Sequence, residues 1–244
     1  MDVGVVLLSG GLDSTTVAAF AKNRGYELTA ITLNYGQTHL KEIDAAGEVA
    51  RHLGLKHRVV DVEFFKDLAW YSSLTNSDQF ETPSMRDAEE MADDIPITYV
   101  PLRNTFFITL AAAYLESEAL SLIERNGVDP SELEASIFIA ANAIDYSGYP
   151  DCRPEYYEKM CEALSRGSKL GSQYETPMKI ETPLITLSKA EIVQMAVAER
   201  APIEATWSCY LGVDQPCGEC DSCVLRAKGF LEANIDDPAL MRSA

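Results

Sequence analysis

No apolar run in this 244-residue sequence approaches the ~20 residues that a membrane-spanning helix needs. The start, MDVGVVLLSGG, lacks the basic opening and longer apolar stretch of a secretory leader. The expected location is therefore the cytoplasm. Positive charge is scarce as well: 20 Lys and Arg stand against 38 Asp and Glu, a net −18. A nucleic-acid binder carries a basic patch to neutralise phosphates, so this balance favours small-molecule ligands over tRNA or DNA. It also demands local cations wherever a nucleotide sits. No basic tail, low-complexity tract or internal repeat is visible. A chain of this length buries a real core without disulfide staples.

Alternation of apolar runs and helical stretches defines what is there. Val3 to Leu8, Leu28 to Leu33 and Arg58 to Val62 read as strands. Helices are expected from Ser14 to Arg24 and from Lys41 to Leu53. This β-α-β-α-β rhythm predicts an α/β fold, a doubly wound, Rossmann-like parallel sheet with helices on both faces. Further along, Asn104 to Glu118, Pro154 to Arg166, Ser188 to Arg200 and Val224 to Ala233 read as helices, and Ser136 to Ala141 as a buried strand. Ser188 and Glu191 have the spacing of a capping box. Residues 72 to 98, polar and acidic, read as a loop that could act as a lid. The expected organisation is an ATP-binding domain over residues 1–200 with a small C-terminal segment, 201–244, packed on it.

Ser9-Gly10-Gly11-Leu12-Asp13-Ser14 lies between a buried strand and a helix start. Glycines there let the backbone approach an anion, and the helix start offers free N–H groups. Ser9 and Ser14 can add hydroxyl donors. Asp13 fits an anion site only if it holds Mg²⁺ or orients a donor. The Gly-Lys-Ser/Thr ending of a Walker loop is absent, and so is Gly-x-Gly-x-x-Gly. The plain alternative is an ordinary strand-to-helix turn capped by Ser14. What the loop does resemble is the phosphate loop of the PP-loop ATP pyrophosphatases, which cleave ATP between the α- and β-phosphates.

Six cysteines are present, and four fall at Cys209, Cys217, Cys220 and Cys223. This C-x7-C-x2-C-x2-C spacing can surround one tetrahedral ion, and four thiolates make a closed structural zinc site. An iron–sulfur cluster suits the same donors. Cys161 reads as an ordinary reduced thiol; Cys152 lies in an unusual neighbourhood.

Three further segments carry candidate residues, and those after the second strand and after the Ser136 to Ala141 strand should face the crevice at the carboxyl ends of the strands. Tyr35, Gln37 and His39 follow the second strand, and His52 and His57 read as structural. Val100 to Asn104 carries Arg103, a fork for a phosphate or carboxylate. Asn142 to Glu155 packs aromatics, acids and an Arg into one loop, a mix suited to a flat heterocycle.

Taken together, SGGLDS, YGQTHLKE, VPLRN, NAIDYSGYPDCRPE, TPL and WSCYLGVDQPCGECDSC resemble the 7-cyano-7-deazaguanine synthase (QueC) family over nearly the whole chain. The resemblance implies an ATP-dependent ligase that turns 7-carboxy-7-deazaguanine and ammonia into the nitrile, on the route to queuosine. It implies one structural Zn²⁺ per chain on the four cysteines, ATP with Mg²⁺ as co-substrate, and a homodimer. Ser9, Gly10, Gly11, Leu12, Asp13 and Ser14 would then hold ATP, with Asp13, Ser14 and Arg103 in catalytic roles. Tyr35, Gln37, His39, Asp145, Tyr149 and Arg153 become the candidates for substrate. Two departures stand out: Ala140 where Gly is expected, and an added acidic segment, 119–135, in which Asp129 and Glu132 are spaced to cap a short helix. Other readings share some of these features: a different PP-loop enzyme, such as an NAD synthetase or a tRNA-thiolating enzyme, a relative that joins the activated deazapurine to another amine, or a nucleotide-sensing module without turnover.

Overall fold

The central strand β1, Asp2–Leu7, sends alternate side chains to opposite faces, so both faces must be covered. In the computed structural model, which describes residues 1–37, 41–81, 95–143, 149–211 and 214–241, they are. Val3, Val5 and Leu7 join one core, and Val6 and Leu8 join another. Four more strands complete a parallel sheet: β2 Glu27–Asn34, β3 Lys56–Asp61, β4 Glu134–Phe138 and β5 Met178–Glu181. Their order is β3-β2-β1-β4-β5, parallel throughout. This is the expected doubly wound sheet.

Helices α1 (Leu12–Asn23) and α2 (Lys41–Leu53) cover the face that receives Val6 and Leu8, joined later by α7 (Lys189–Ala198) and α8 (Asp221–Ala233). The opposite face is covered by a short α3 (Phe65–Leu68), by α4 (Arg103–Glu124), by α5 (Pro154–Gly167) and by α6 (Lys169–Tyr174). A last turn, α9, spans Pro238–Met241. The chain leaves β1 toward one face and β4 toward the other. The order therefore reverses between these two neighbours, and a crevice opens at their carboxyl ends.

Several boundaries differ from the sequence reading. β4 ends at Phe138 rather than Ala141, because Ile139 leaves the sheet ladder while still bonding to Glu181 O. α4 continues to Glu124, taking in the first residues of the added segment. The remainder of that segment holds a 3₁₀ turn, Pro130–Glu132, and the first two residues of β4; Asp129 does cap the turn, its carboxylate accepting from Ser131 N at 2.9 Å. β5 and α6, only 4 and 6 residues long, have no counterpart in the sequence pattern. α4 also corrects the statement about apolar runs. Among the described residues it is long and apolar enough to cross a membrane by length and composition. Here its Ile108, Ala111, Ala112, Leu115 and Ala119 pack into the sheet core. His57 is structural as expected, its Nε2 2.8 Å from Thr32 Oγ1.

Candidate active site and metal centre

The crevice holds a cavity of about 280 Å³. Its floor is the end of β1 and the turn into α1. Gly10 has φ +83°, and a Cβ there would lie 2.5 Å from Ala46 N and from Glu42 O, so only glycine fits between the loop and α2. Gly11 caps α1 with no side chain. A Cβ on it would meet no protein atom closer than 3.5 Å and would instead fill the cavity. The loop thus leaves room for an anion above backbone N–H groups at a helix start. The two serines stitch the turn together: Ser9 Oγ and Ser14 Oγ are 3.0 Å apart, Ser14 Oγ donates to Gly11 O, and Gly11 N donates to Ser9 Oγ. Ser9, Gly11, Leu12, Asp13 and Ser14 all line the cavity; Gly10 lies behind it.

Asp13 is held by a residue the sequence did not single out. Lys189 Nζ donates to both carboxylate oxygens, at 2.8 and 3.0 Å. Lys189 is buried at the first position of α7, directly after the capping residue Ser188, whose reciprocal bonds with Glu191 form the expected box. A lysine at a helix start opposes the macrodipole, which was its one legible signal. Its stem crosses α8 at Gly229, where a Cβ would sit 2.3 Å from Lys189 Cγ. That contact explains a glycine inside a helix, at a cost of roughly 0.5–1 kcal/mol relative to Ala.

Across the cavity, Tyr35, Gln37, Arg103 and Tyr149 line the wall. Tyr35 and Tyr149 are buried, and burial raises both phenols above their ordinary range. Tyr149 shares a 2.7 Å hydrogen bond with Thr98, within the segment read as a lid. Gln37 turns back, its Oε1 accepting from Tyr35 N. Burial alone would depress Arg103. Tyr35, Tyr149 and Asp151 outweigh it, so the guanidinium stays charged. Asp151 is buried, accepts from Asn104 N, and keeps one oxygen with no hydrogen-bond partner. Asn142 donates to Leu184 O and Leu187 O, pinning the loop after β4 to the segment before α7. Ala140 and Cys152 also line the wall, and burial pushes the Cys152 thiol up to about 11, so it stays protonated. Arg153 is exposed and does not line the cavity. His39 and Asp145 lie outside the described residues, as do residues 82–94 of the 72–98 loop.

The third wall comes from the C-terminal segment. Trp207 N donates to Gly10 O at 2.9 Å, and Trp207, Ser208, Tyr210, Ser222, Leu225 and Arg226 face the cavity. Arg226 is already engaged by Asp237, through Nε at 2.6 Å and Nη2 at 2.9 Å. Below this wall, Cys209, Cys217, Cys220 and Cys223 place all four sulfurs within 4.8 Å of one another. None of the four is in a disulfide. Backbone N–H groups of Leu211 and Cys217 point at Cys209 Sγ, and those of Glu219 and Cys220 at Cys217 Sγ. A Zn–S bond of about 2.3 Å spaces tetrahedral thiolates about 3.8 Å apart, so a small contraction closes the set. Gly218, at φ +79°, makes the turn between two ligands. The donors fit one structural metal ion with no position left open.

A parallel sheet with a glycine loop at its switch point, a paired Asp–Lys above that loop, and a thiolate centre under one wall define a nucleotide-binding α/β protein with a closed metal site. The family model described as "Queuosine biosynthesis protein QueC" matches residues 3–234, and the chain belongs to that family. It is 47% identical over 234 residues to the 7-cyano-7-deazaguanine synthase of Thermoplasma acidophilum, covering 96% of this chain and 90% of that one. It is 43% identical over 237 residues to the enzyme of the same name from Trichodesmium erythraeum, covering 97% and 99%. Among solved structures, an NMN synthetase from Francisella tularensis aligns over 98% of this chain and 81% of that chain, with 16% identity and a TM-score of 0.42.

Proposed function

We propose that this protein makes 7-cyano-7-deazaguanine from 7-carboxy-7-deazaguanine, ammonia and ATP, by adenylating first the acid and then the amide. The observation that carries this is one cavity bounded by a phosphate loop on one side and by Arg103 between two buried tyrosines on the other. A carboxylate is a poor electrophile, and its oxygen a poor leaving group. Attack of that oxygen on the α-phosphorus of ATP expels pyrophosphate and leaves a carbonyl that ammonia can attack, releasing AMP and the amide. The amide oxygen repeats the attack on a second ATP, and its departure with AMP yields the nitrile.

The loop supplies backbone donors for the phosphates, and Lys189, fixed by Asp13, supplies a cation where negative charge develops. Of the two roles open to Asp13, its pair of hydrogen bonds from Lys189 favours orienting a donor. Mg²⁺ arriving with ATP would neutralise the pyrophosphate as it leaves. Arg103 faces the substrate carboxylate, and Tyr35 and Tyr149 wall the flat ring. His39 and Asp145 remain candidates for its edge, while Arg153, exposed and outside the cavity, does not. Zn²⁺ on the four cysteines is structural. The net charge of −18 supports small-molecule substrates without direct nucleic-acid contact. Our reading includes a cytoplasmic homodimer, for which the exposed Phe64, Leu68, Trp70 and Tyr71 offer a subunit face; sedimentation would test it. Carboxylate labelled with ¹⁸O should deliver one labelled oxygen to each of two AMP per nitrile formed. ADP as the direct product, or an inert synthetic amide, would overturn the scheme.

A further inference from the structure

Three N–H protons must leave nitrogen between ammonia and nitrile. The cavity offers few groups able to take them. Its described carboxylates are Asp13 and Glu42. Asp13 is neutralised by Lys189. Cys152 and the two tyrosines are held protonated by burial, and Lys189 and Arg103 are cations. No described histidine lines the cavity. Glu42 differs from all of these. It stands in the first turn of α2, the turn wedged under Gly10, and makes no hydrogen bond or ion pair among the described residues.

We propose that Glu42 is the proton acceptor for the nitrogen steps of this reaction, serving both amide formation and dehydration. When ammonia adds to the acyl-adenylate, a C–N bond forms and Glu42 takes one proton from the new ammonium. The C–O bond to AMP then breaks, and AMP leaves with its electron pair. After the amide oxygen has been adenylated, Glu42 takes the two remaining N–H protons in turn, passing each to solvent. Loss of the last accompanies C–O cleavage, and its electron pair becomes the third C–N bond. The titratable and charged groups facing Glu42 are Tyr35, at the end of β2, and Arg103, at the start of α4. Burial raises the carboxyl and Arg103 opposes it, leaving it at about 7. A base poised there is half-ionised at neutral pH, near the optimum for general catalysis.

This inference rests on the adenylation reading above, so the experiment separates the steps. ATP–pyrophosphate exchange with the acid alone reports adenylation. Conversion of synthetic amide to nitrile reports deprotonation and is free of ammonia's own titration. Glu42→Gln should retain exchange while amide conversion falls about 10²–10⁴-fold, and the acidic limb of its pH profile near 7 should vanish. Glu42→Asp should recover part of the rate and keep the limb. Glu42 is not the acceptor if the Gln variant converts amide normally, or if it loses exchange as heavily as conversion. Failure of the unaltered protein to exchange pyrophosphate or accept the amide would sink the adenylation reading and this inference with it.

Discussion

Gly10 and Lys189 show how differently single residues announce themselves. Gly10→Ala would combine left-handed backbone strain of roughly 1–2 kcal/mol with a clash against α2. ATP binding, measured by calorimetry, should be lost. That position was legible, because a glycine pair between a buried strand and a helix start seldom serves any purpose but close backbone approach. Lys189 was not, because its partner Asp13 lies 176 residues away in the chain and only the folded sheet brings them together. Asp13→Ala and Lys189→Met should each lower AMP formation by about 10²–10³-fold, and the double variant should be little worse than either, since the pair acts as a unit. Gly229→Ala should cut kcat with the fold intact, because it displaces the Lys189 stem; circular dichroism alongside turnover would check this. Glu42 carries the opposite stability sign from a paired acid. Its folded pKa is raised to about 7, so ionisation costs the ligand-free fold stability progressively as pH rises from the unfolded value to 7, and fully above it. Glu42→Gln should therefore raise Tm at pH 8, by the equivalent of about 1–3 kcal/mol, and leave it unchanged near pH 4. A Tm gain at both pH values would contradict the shift.

At the scale of elements, helices with strong signals were read closely. α2, Lys41–Leu53, matches its expected bounds, closed by Gly54 at φ +63°. α7 starts where its capping box places it. Short pieces such as β5 were missed because four residues carry too little periodicity to separate strand from loop. The cysteine set was legible from spacing alone. Its packing was not: Cys220 is the residue that begins α8, and α8 lies on α7, which delivers Lys189. Removing the metal with a strong chelator, or replacing Cys220 by Ser, should lower Tm and loosen α8, with slower adenylation as a secondary effect. Hydrogen exchange should localise the loosening to residues 201–241. An unchanged Tm with full metal loss would contradict a structural centre.

For the whole molecule, the location of the crevice followed from strand order, and strand order from the alternation of strands and helices. What the sequence could not reveal was which distant segments close over it. Six residues between Trp207 and Arg226 supply one of its walls through side chains that no sequence pattern marks as nucleotide-facing. They meet the phosphate loop through a backbone hydrogen bond, Trp207 N to Gly10 O, with Lys41 Nζ 4.7 Å from the Trp207 ring. That seam sets an order of maturation. The two cores that hold the sheet and its flanking helices contain none of the four clustered cysteines, whereas the wall above the phosphate loop is expected to settle only once the four thiolates are gathered. A chain refolded without zinc should show helical circular dichroism but a smaller upward shift of Tm with ATP, and zinc added afterwards should restore the shift. Thiol oxidants should act on the finished protein in the same place, weakening nucleotide binding from beneath the third wall. On that outcome the metal centre would make ATP binding depend on metal supply and redox state.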